Sequence, residues 1–532
     1  MTIENRYNLI DEPWIPIVDV GRVSLRQVFS QPEYRALGGN PVQKIALTKL
    51  LLAIAQSAYT PEDDEDWATV GADGLAQKCL AYLEQWHDRF YLYGDKPFLQ
   101  MPVLEGMFEK ELLKARKELL KQKLFDREKA LEPKPFGAGF YPDVLSDNST
   151  ILVHSQISRR LNDADRAVFI TSLMNFSLGG KRINKDMPTL TIYYQGKTNS
   201  AKSAPSLGNY VGYLHSYLIG SSVQETIFLN LLTREQIQDT KIWVNELGKA
   251  PWEEMPAGEN CEVAQRLKNS YMGCLLALSR FVLLKNEGVF YIEGIQYPSH
   301  KDGWFEPSIS INRSASVPKL IWLDVNKKPW RNLTSLLSFL TAVNQHGYDC
   351  QQIRLGFQRV KLRERPIGIW SGGLKVRASS GDQSVKQDDD FIESYVALPP
   401  PNLITGKDSV WFSNLSSEVK NLEEIADILG NSVYHSNKRE IRDSKERDKR
   451  ADSVKGQAQS LFWQLCERQF QNLIDACGDA EQACGMRPIF AQFVNKAYDS
   501  YCPNDTARQL DAWAKNRPNL AKYLHNPNKE PA

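Results

Sequence analysis

The sequence predicts an α+β fold: an irregular mixed α/β domain over residues 1–398, followed by a C-terminal four-helix bundle over residues 399–532. Up to about Leu398, short apolar runs alternate with stretches of helical periodicity, the texture of mixed layers. Pro399-Pro400-Pro401 then interrupts the chain, because consecutive prolines favour an extended polyproline path. Beyond it, apolar residues recur at i, i+3, i+4 and i+7 in one segment after another, as the helices of a bundle require.

Each element follows from its own pattern. Residues 41–58 form a predicted helix, since Ile45, Leu47, Leu50, Leu51, Ile54 and Ala55 recur on one side. Residues 108–134 carry Glu and Lys at helical spacing and few apolar positions, which predicts a solvated helix followed by a loop, ordered against a partner. Residues 163–176 are a second amphipathic helix. Residues 190–194, 289–294 and 366–370 are short and rich in β-branched or aromatic side chains, hence strands. In the C-terminal part the helices are expected at 415–429, 453–476, 480–500 and 506–524, with Phe462, Trp463, Cys466, Phe470 and Leu473 as one core stripe. The segment 437–455 holds eight basic and five acidic residues and reads as a mobile loop or a polar helix extension.

Composition narrows the function classes. A chain of 532 residues exceeds what one core encloses. It has no apolar run long enough to span a bilayer, and its first seven residues are too polar for a secretion signal, so a cytoplasmic location without membrane contact is expected. The balance of 65 basic and 64 acidic residues excludes a protein that coats nucleic acid over its whole surface. A local basic excess exists where Arg354, Arg359, Lys361, Arg363 and Arg365 face only Glu364; it reads equally as a solvated face or a phosphate contact. The eight cysteines include no CxxC pair, so reduced core thiols are expected, with no metal and no cofactor.

A constellation for catalysis is missing from the pattern. The seven histidines stand singly, outside any HExxH arrangement, and His87-Asp88 is an isolated pair. Gly179-Gly180-Lys181-Arg182 lacks the earlier glycine of a P-loop, whose place Met174-Asn175 takes, and lacks the hydroxyl residue after the lysine. The expectation is therefore a non-enzyme. A metal-dependent nuclease or hydrolase with an unrecognised site, or a pure scaffold without DNA contact, stays open as an alternative.

The string Tyr7-Asn8-Leu9-Ile10-Asp11-Glu12-Pro13-Trp14-Ile15-Pro16 goes further. So do Pro97-Phe98-Leu99-Gln100, the stretch from Asn148 to His154, Ser203-Ala204-Pro205 through Gly220, the run from Thr226 to Leu231, and Ser371-Gly372-Gly373. In this order they resemble the CasA family, the large subunits of type I-E CRISPR Cascade surveillance complexes. The resemblance implies a subunit that recognises a short PAM in the minor groove of double-stranded DNA, helps open the duplex and start the R-loop, and stabilises the displaced strand. Implied partners are the DNA target, guide RNA and other Cascade subunits, and a nuclease or nuclease-helicase.

Carried over by position, the PAM loop falls on Gly179, Gly180 and Lys181, with Asn199 and Lys202 in the insertion that follows. A PAM-contacting lysine falls on Lys285, and a strand-separating wedge on Ser380, Gly381, Asp382 and Gln383, with Gln383 expected on a turn. The docking loop toward the rest of the complex falls on Asn148, Leu152 and His154. Without the resemblance, the same residues read as a helix C-cap at Gly179, a commonplace surface lysine and a polar hairpin turn.

Overall fold

Pro41–Ala58 is a helix (α1) because Asn40 and Gln43 close a capping box around Pro41 and its apolar residues then cover nearly the whole circumference. It is the buried axis of the N-terminal part. The computed structural model describes residues 4–118, 121–136, 160–178, 187–191, 212–298, 303–312, 318–340, 347–379, 382–384, 391–406, 409–438 and 444–525. Two compact units result: Met1–Trp330 with Gln345–Arg359 and Ile369–Tyr395, and Arg331–Asn344 with Val360–Gly368 and Val396–Ala532.

In the first unit α1 packs against Asp64–Gln85 (α2) and Asp163–Asn175 (α5). The segment between them departs from expectation: it folds into two helices, Val103–Glu118 (α3) and Lys121–Leu131 (α4), in place of one helix and a loop. Two cross-helix ion pairs, Arg116 to Glu128 at 2.8 Å and Arg127 to Glu111 at 3.0 Å, tie them, and Phe108 stacks on Phe290 with ring centres 4.2 Å apart. Spacing along one helix cannot show partners on another, which is why the second helix was not expected.

The sheets are small. His215–Ile219 (β1), Ile367–Leu374 (β4) and Phe391–Leu398 (β7) form one, in the order β7, β4, β1. Val282–Lys285 (β2) and Gly288–Tyr291 (β3) form an antiparallel hairpin, with residues 134–135 on the far side of β3. Arg377–Ser379 (β5) and Asp382–Ser384 (β6) form another. The expected strands at 289–294 and 366–370 correspond to β3 and β4. Leu190 and Thr191 are not in a strand, and the remainder of 190–194 lies outside the described residues.

A fully buried polar centre sits within this unit. Lys49 Nζ of α1 lies 2.6 Å from Glu306 Oε1, and His215 Nδ1 lies 3.6 Å from the same oxygen, with the Ser308 hydroxyl donating to it. Two members of the basic run are engaged within the fold, whereas Lys361 and Arg365 are exposed. Arg359 is half-buried above the Trp67 ring and donates to the carbonyls of Leu229 and Leu231, while Arg354 pairs with Asp349 at 3.1 Å. Burial pulls the Arg359 guanidinium down to about 10, and the neighbouring Asp64 works against that fall.

The second unit is helical. Trp411–Lys438 (α8), Ser444–Ala476 (α9) and Arg487–Tyr501 (α10) pack on one another, and Ala507–Lys515 (α11) lies against α8. Phe462, Cys466, Phe470 and Leu473 of the expected stripe are buried; Trp463 stands at its edge beneath the Arg331 guanidinium, 3.6 Å away. Residues 444–455 are helical and extend α9 by three turns, the polar-extension reading of that charged segment. The expected helix at 480–500 is broken near Met486, where Pro488 in the first turn of α10 removes a backbone donor. The protein thus has the α+β fold with a helical C-terminal region that the pattern predicts.

Candidate nucleic-acid interface

The opening string is a structural knot. Trp14 is fully buried and its indole N–H donates to Leu9 O at 2.9 Å; Asn8 accepts from the Ile10 amide and donates to His87 O. His87 Nε2 in turn meets Asp11 Oδ2 at 2.7 Å, so the carboxylate it faces is that of Asp11 and not of its chain neighbour Asp88. Among the described residues no group of three or more His, Cys, Asp or Glu side chains converges on a point, and no helix is long and apolar enough to cross a membrane.

Lys285 ends β2 opposite Gly288, at the mouth of a two-residue turn made by Asn286 and Glu287. Three contacts position this hairpin. Gln100, from the Pro-Phe-Leu-Gln string, is buried between strands: its carbonyl accepts from the Leu284 amide at 2.8 Å and its amide donates to Leu92 O at 2.8 Å. Arg166 of α5 donates to Asn286 O at 2.5 Å, at the tip. The Lys285 ammonium itself pairs with Glu105 of α3, and its side chain is about one-third exposed. Such a surface pair contributes little to stability and exchanges readily for another anion.

Gly179, Gly180, Lys181, Asn199, Lys202, Ser380, Gly381, Asn148, Leu152 and His154 lie outside the described residues. Their roots are described. At the exit of α5, the Ser279 amide donates to Met174 O at 2.8 Å and the Arg280 guanidinium to Leu178 O at 3.4 Å, so the residue before Gly179 lies beside the stem of the Lys285 hairpin. Arg280 is wholly buried, with its Nε–H on Tyr291 Oη at 2.6 Å. Thr191, ahead of the segment that carries Asn199 and Lys202, donates its amide to Glu293 Oε1 at 2.8 Å.

Gly212, where that segment returns, meets the stem of the other hairpin: a Cβ added there would stand 2.5 Å from Val376 Cγ2 and 2.9 Å from the Trp322 ring. Only glycine permits so close an approach. Val376 immediately precedes β5. Asp382 and Gln383 then lie on β6, opposite Ser379 and Ala378, so Gln383 is in a strand and not on a turn. The register of the strand pairing decides this; counting turn-forming residues along the sequence could not.

Sequence reading missed Gln100, Arg166, Arg280 and Gly212 as positioning residues. A lone glutamine, arginine or glycine carries no periodic signal, and only Gln100 and Gly212 sat inside strings already singled out.

Residues 8–514 match the family model described as CRISPR-associated protein Cse1. A curated relative, CRISPR-associated protein CasA/Cse1 of Thermus thermophilus, is 36% identical over 110 residues, which cover 19% of this chain and 22% of the relative. The alignment thus spans about a fifth of that relative's length. Solved structures extend the likeness to the whole fold. Thermus thermophilus CasA (Cse1) has a TM-score of 0.66 at 18% identity, covering 98% of this chain and 99% of that one. Thermobifida fusca Cse1 has a TM-score of 0.69 at 19% identity, covering 98% of both chains. A chain of a CRISPR RNA-guided surveillance complex has a TM-score of 0.64 at 13% identity, covering 96% and 98%.

Proposed function

The chain belongs to the CRISPR-associated Cse1 family, and from that premise we propose that it is the large, non-catalytic subunit of a type I-E RNA-guided surveillance complex. In this reading it assembles with guide RNA and other subunits, engages a PAM through the minor groove of duplex DNA, and helps separate the strands beside it. It then steadies the displaced strand and presents a surface to a separate nuclease or nuclease-helicase.

The observation that supports this best is the seating of the loop roots on the hairpin stems. The exit toward Gly179 lies on Arg280, the stem of the Lys285 hairpin, and the return at Gly212 lies on Val376, the stem of the Gln383 hairpin. A minor-groove reader needs several short elements held in fixed relation, because the groove shows a degenerate code that no single side chain resolves. Backbone at Gly179 and Gly180 approaches base edges, Lys285 exchanges Glu105 for a DNA acceptor, and residues 380–383 supply the wedge that offsets the cost of unstacking a base step. Asn148, Leu152 and His154 dock the subunit in the complex, and Lys181, Asn199 and Lys202 belong to the PAM loop with the two glycines.

The test is target binding by the assembled complex. K285A and Q383A are each expected to weaken binding of a PAM-bearing duplex about tenfold, with little change on a duplex lacking the PAM. Unchanged binding by both would favour a scaffold without DNA contact. Metal-dependent cleavage of DNA by the purified chain would overturn the non-catalytic assignment.

A further inference from the structure

In the second unit, two short segments lie side by side and leave their apolar residues in water. Leu362 is 79% exposed and Leu403 62%, among the most exposed large hydrophobic residues described, and Val410 follows at 49%. Leu362 belongs to the stretch Val360–Gly368 and Leu403 to the short helix Pro401–Thr405 after the proline run. Their backbones are fastened together. The Thr405 hydroxyl donates to Lys361 O at 2.9 Å, the Asn402 amide to Arg363 O at 3.2 Å, and the Ser409 hydroxyl to Leu403 O at 2.7 Å. The surface is therefore preformed, so ordering it upon association costs little.

Its rim is basic. Lys361 and Arg365 are exposed, Arg363 lies between them, and Glu364 is the one acidic residue among the described residues of the two segments. Contiguous exposed aliphatic groups with a polar rim mark an interaction surface. We propose that this surface docks a protein segment of acidic, amphipathic character, with leucine-like side chains laid on Leu362, Leu403 and Val410 and carboxylates meeting Lys361 and Arg365. The chemistry favours protein over nucleic acid. Sequence-tolerant capture of single strands uses the flat faces of aromatic rings, and the centre of this patch is aliphatic.

The full chain can be titrated with a fluorescent helical peptide bearing a leucine stripe and glutamate flanks. Binding that weakens with added salt is expected, because basic rims act on association through charge. Replacing Leu362→Ser with Leu403→Ser is expected to weaken binding tenfold or more, about what loss of a buried anchor costs. Replacing Lys361→Glu with Arg365→Glu is expected to slow association about tenfold. All four side chains are exposed, so an unchanged unfolding midpoint reports intact folding of either variant. Equal binding by both variants would overturn the proposal, as would equal binding of a lysine-flanked peptide, or displacement of the peptide by a single-stranded oligonucleotide. None of these readouts depends on DNA target recognition.

Discussion

Lys49 and Glu306 form a buried ion pair, Nζ to Oε1 2.6 Å, with both side chains almost wholly removed from water. Burial raises the Glu306 carboxyl, but Lys49 and His215 more than reverse this and hold it down at about 2. A carboxylate depressed in this way stabilises the fold fully above its ordinary value of 4.5, and the contribution is lost as pH falls toward 2. K49M strands the carboxylate. It is expected to cost about 3–5 kcal/mol at neutral pH, and the deficit should shrink on acidification, when Glu306 of the variant protonates. Urea unfolding at neutral and mildly acidic pH checks this; a deficit that does not change with pH would contradict the charge argument.

Arg487 plays the corresponding part in the helical unit. Its Nη2 and Nε meet Glu418 at 2.5 and 3.0 Å, and its Nη1 donates to the carbonyls of Tyr523 and His525 at 3.3 Å, fastening the C-terminal turn. R487M is expected to destabilise this unit by about 3–5 kcal/mol, whereas E418L combined with R487M should be much milder because no charge is left buried. Limited proteolysis is expected to nick R487M beyond α10 first.

At Gly212 the approach of Val376 leaves no room for a methyl group. G212A is expected to cost about 1–3 kcal/mol, and V376A in the same chain should recover part of it, a coupling that a double-mutant cycle measures. If the two costs simply add, the stems are not in the contact described. The same variant should weaken binding of a PAM-bearing duplex by the assembled complex, since it shifts the stem of the Gln383 hairpin.

Thiol chemistry offers an independent check on the core. Cys79, Cys274, Cys350, Cys466, Cys477 and Cys502 are buried, while Cys261 and Cys484 are partly open. Burial pushes the Cys350 thiol up to about 12 and the Cys502 thiol up to about 11, so neither supplies thiolate at neutral pH. Native alkylation is expected to label Cys261 and Cys484, and the other six only after unfolding, as read by mass spectrometry.

Local pattern was enough for the class of fold and for most element types, but not for the helix at Lys121–Leu131 or for Leu190 and Thr191, which are in no strand. Periodicity located α1 to the residue, and the proline run foretold a change to helices. The opening string also pointed to the family by resemblance, and in the structure Trp14 on Leu9 O and the Tyr7 hydroxyl on Pro13 O join residues close together in the chain. The resemblance, and not residue types or spacing, supplied the places to look, Lys285 and the stretch around Gln383. Only the tertiary structure decided what holds those places. The Lys49–Glu306 pair, Gln100 on Leu284, Arg280 on Leu178 and Gly212 against Val376 join segments far apart in sequence. No local pattern encodes them, since a helix or strand repeat reports which face is apolar and not which distant backbone will lie against it. The position of Gln383 shows the same limit on a smaller scale: turn chemistry announced a hairpin, but strand register, set by pairing across the sheet, placed the glutamine on β6.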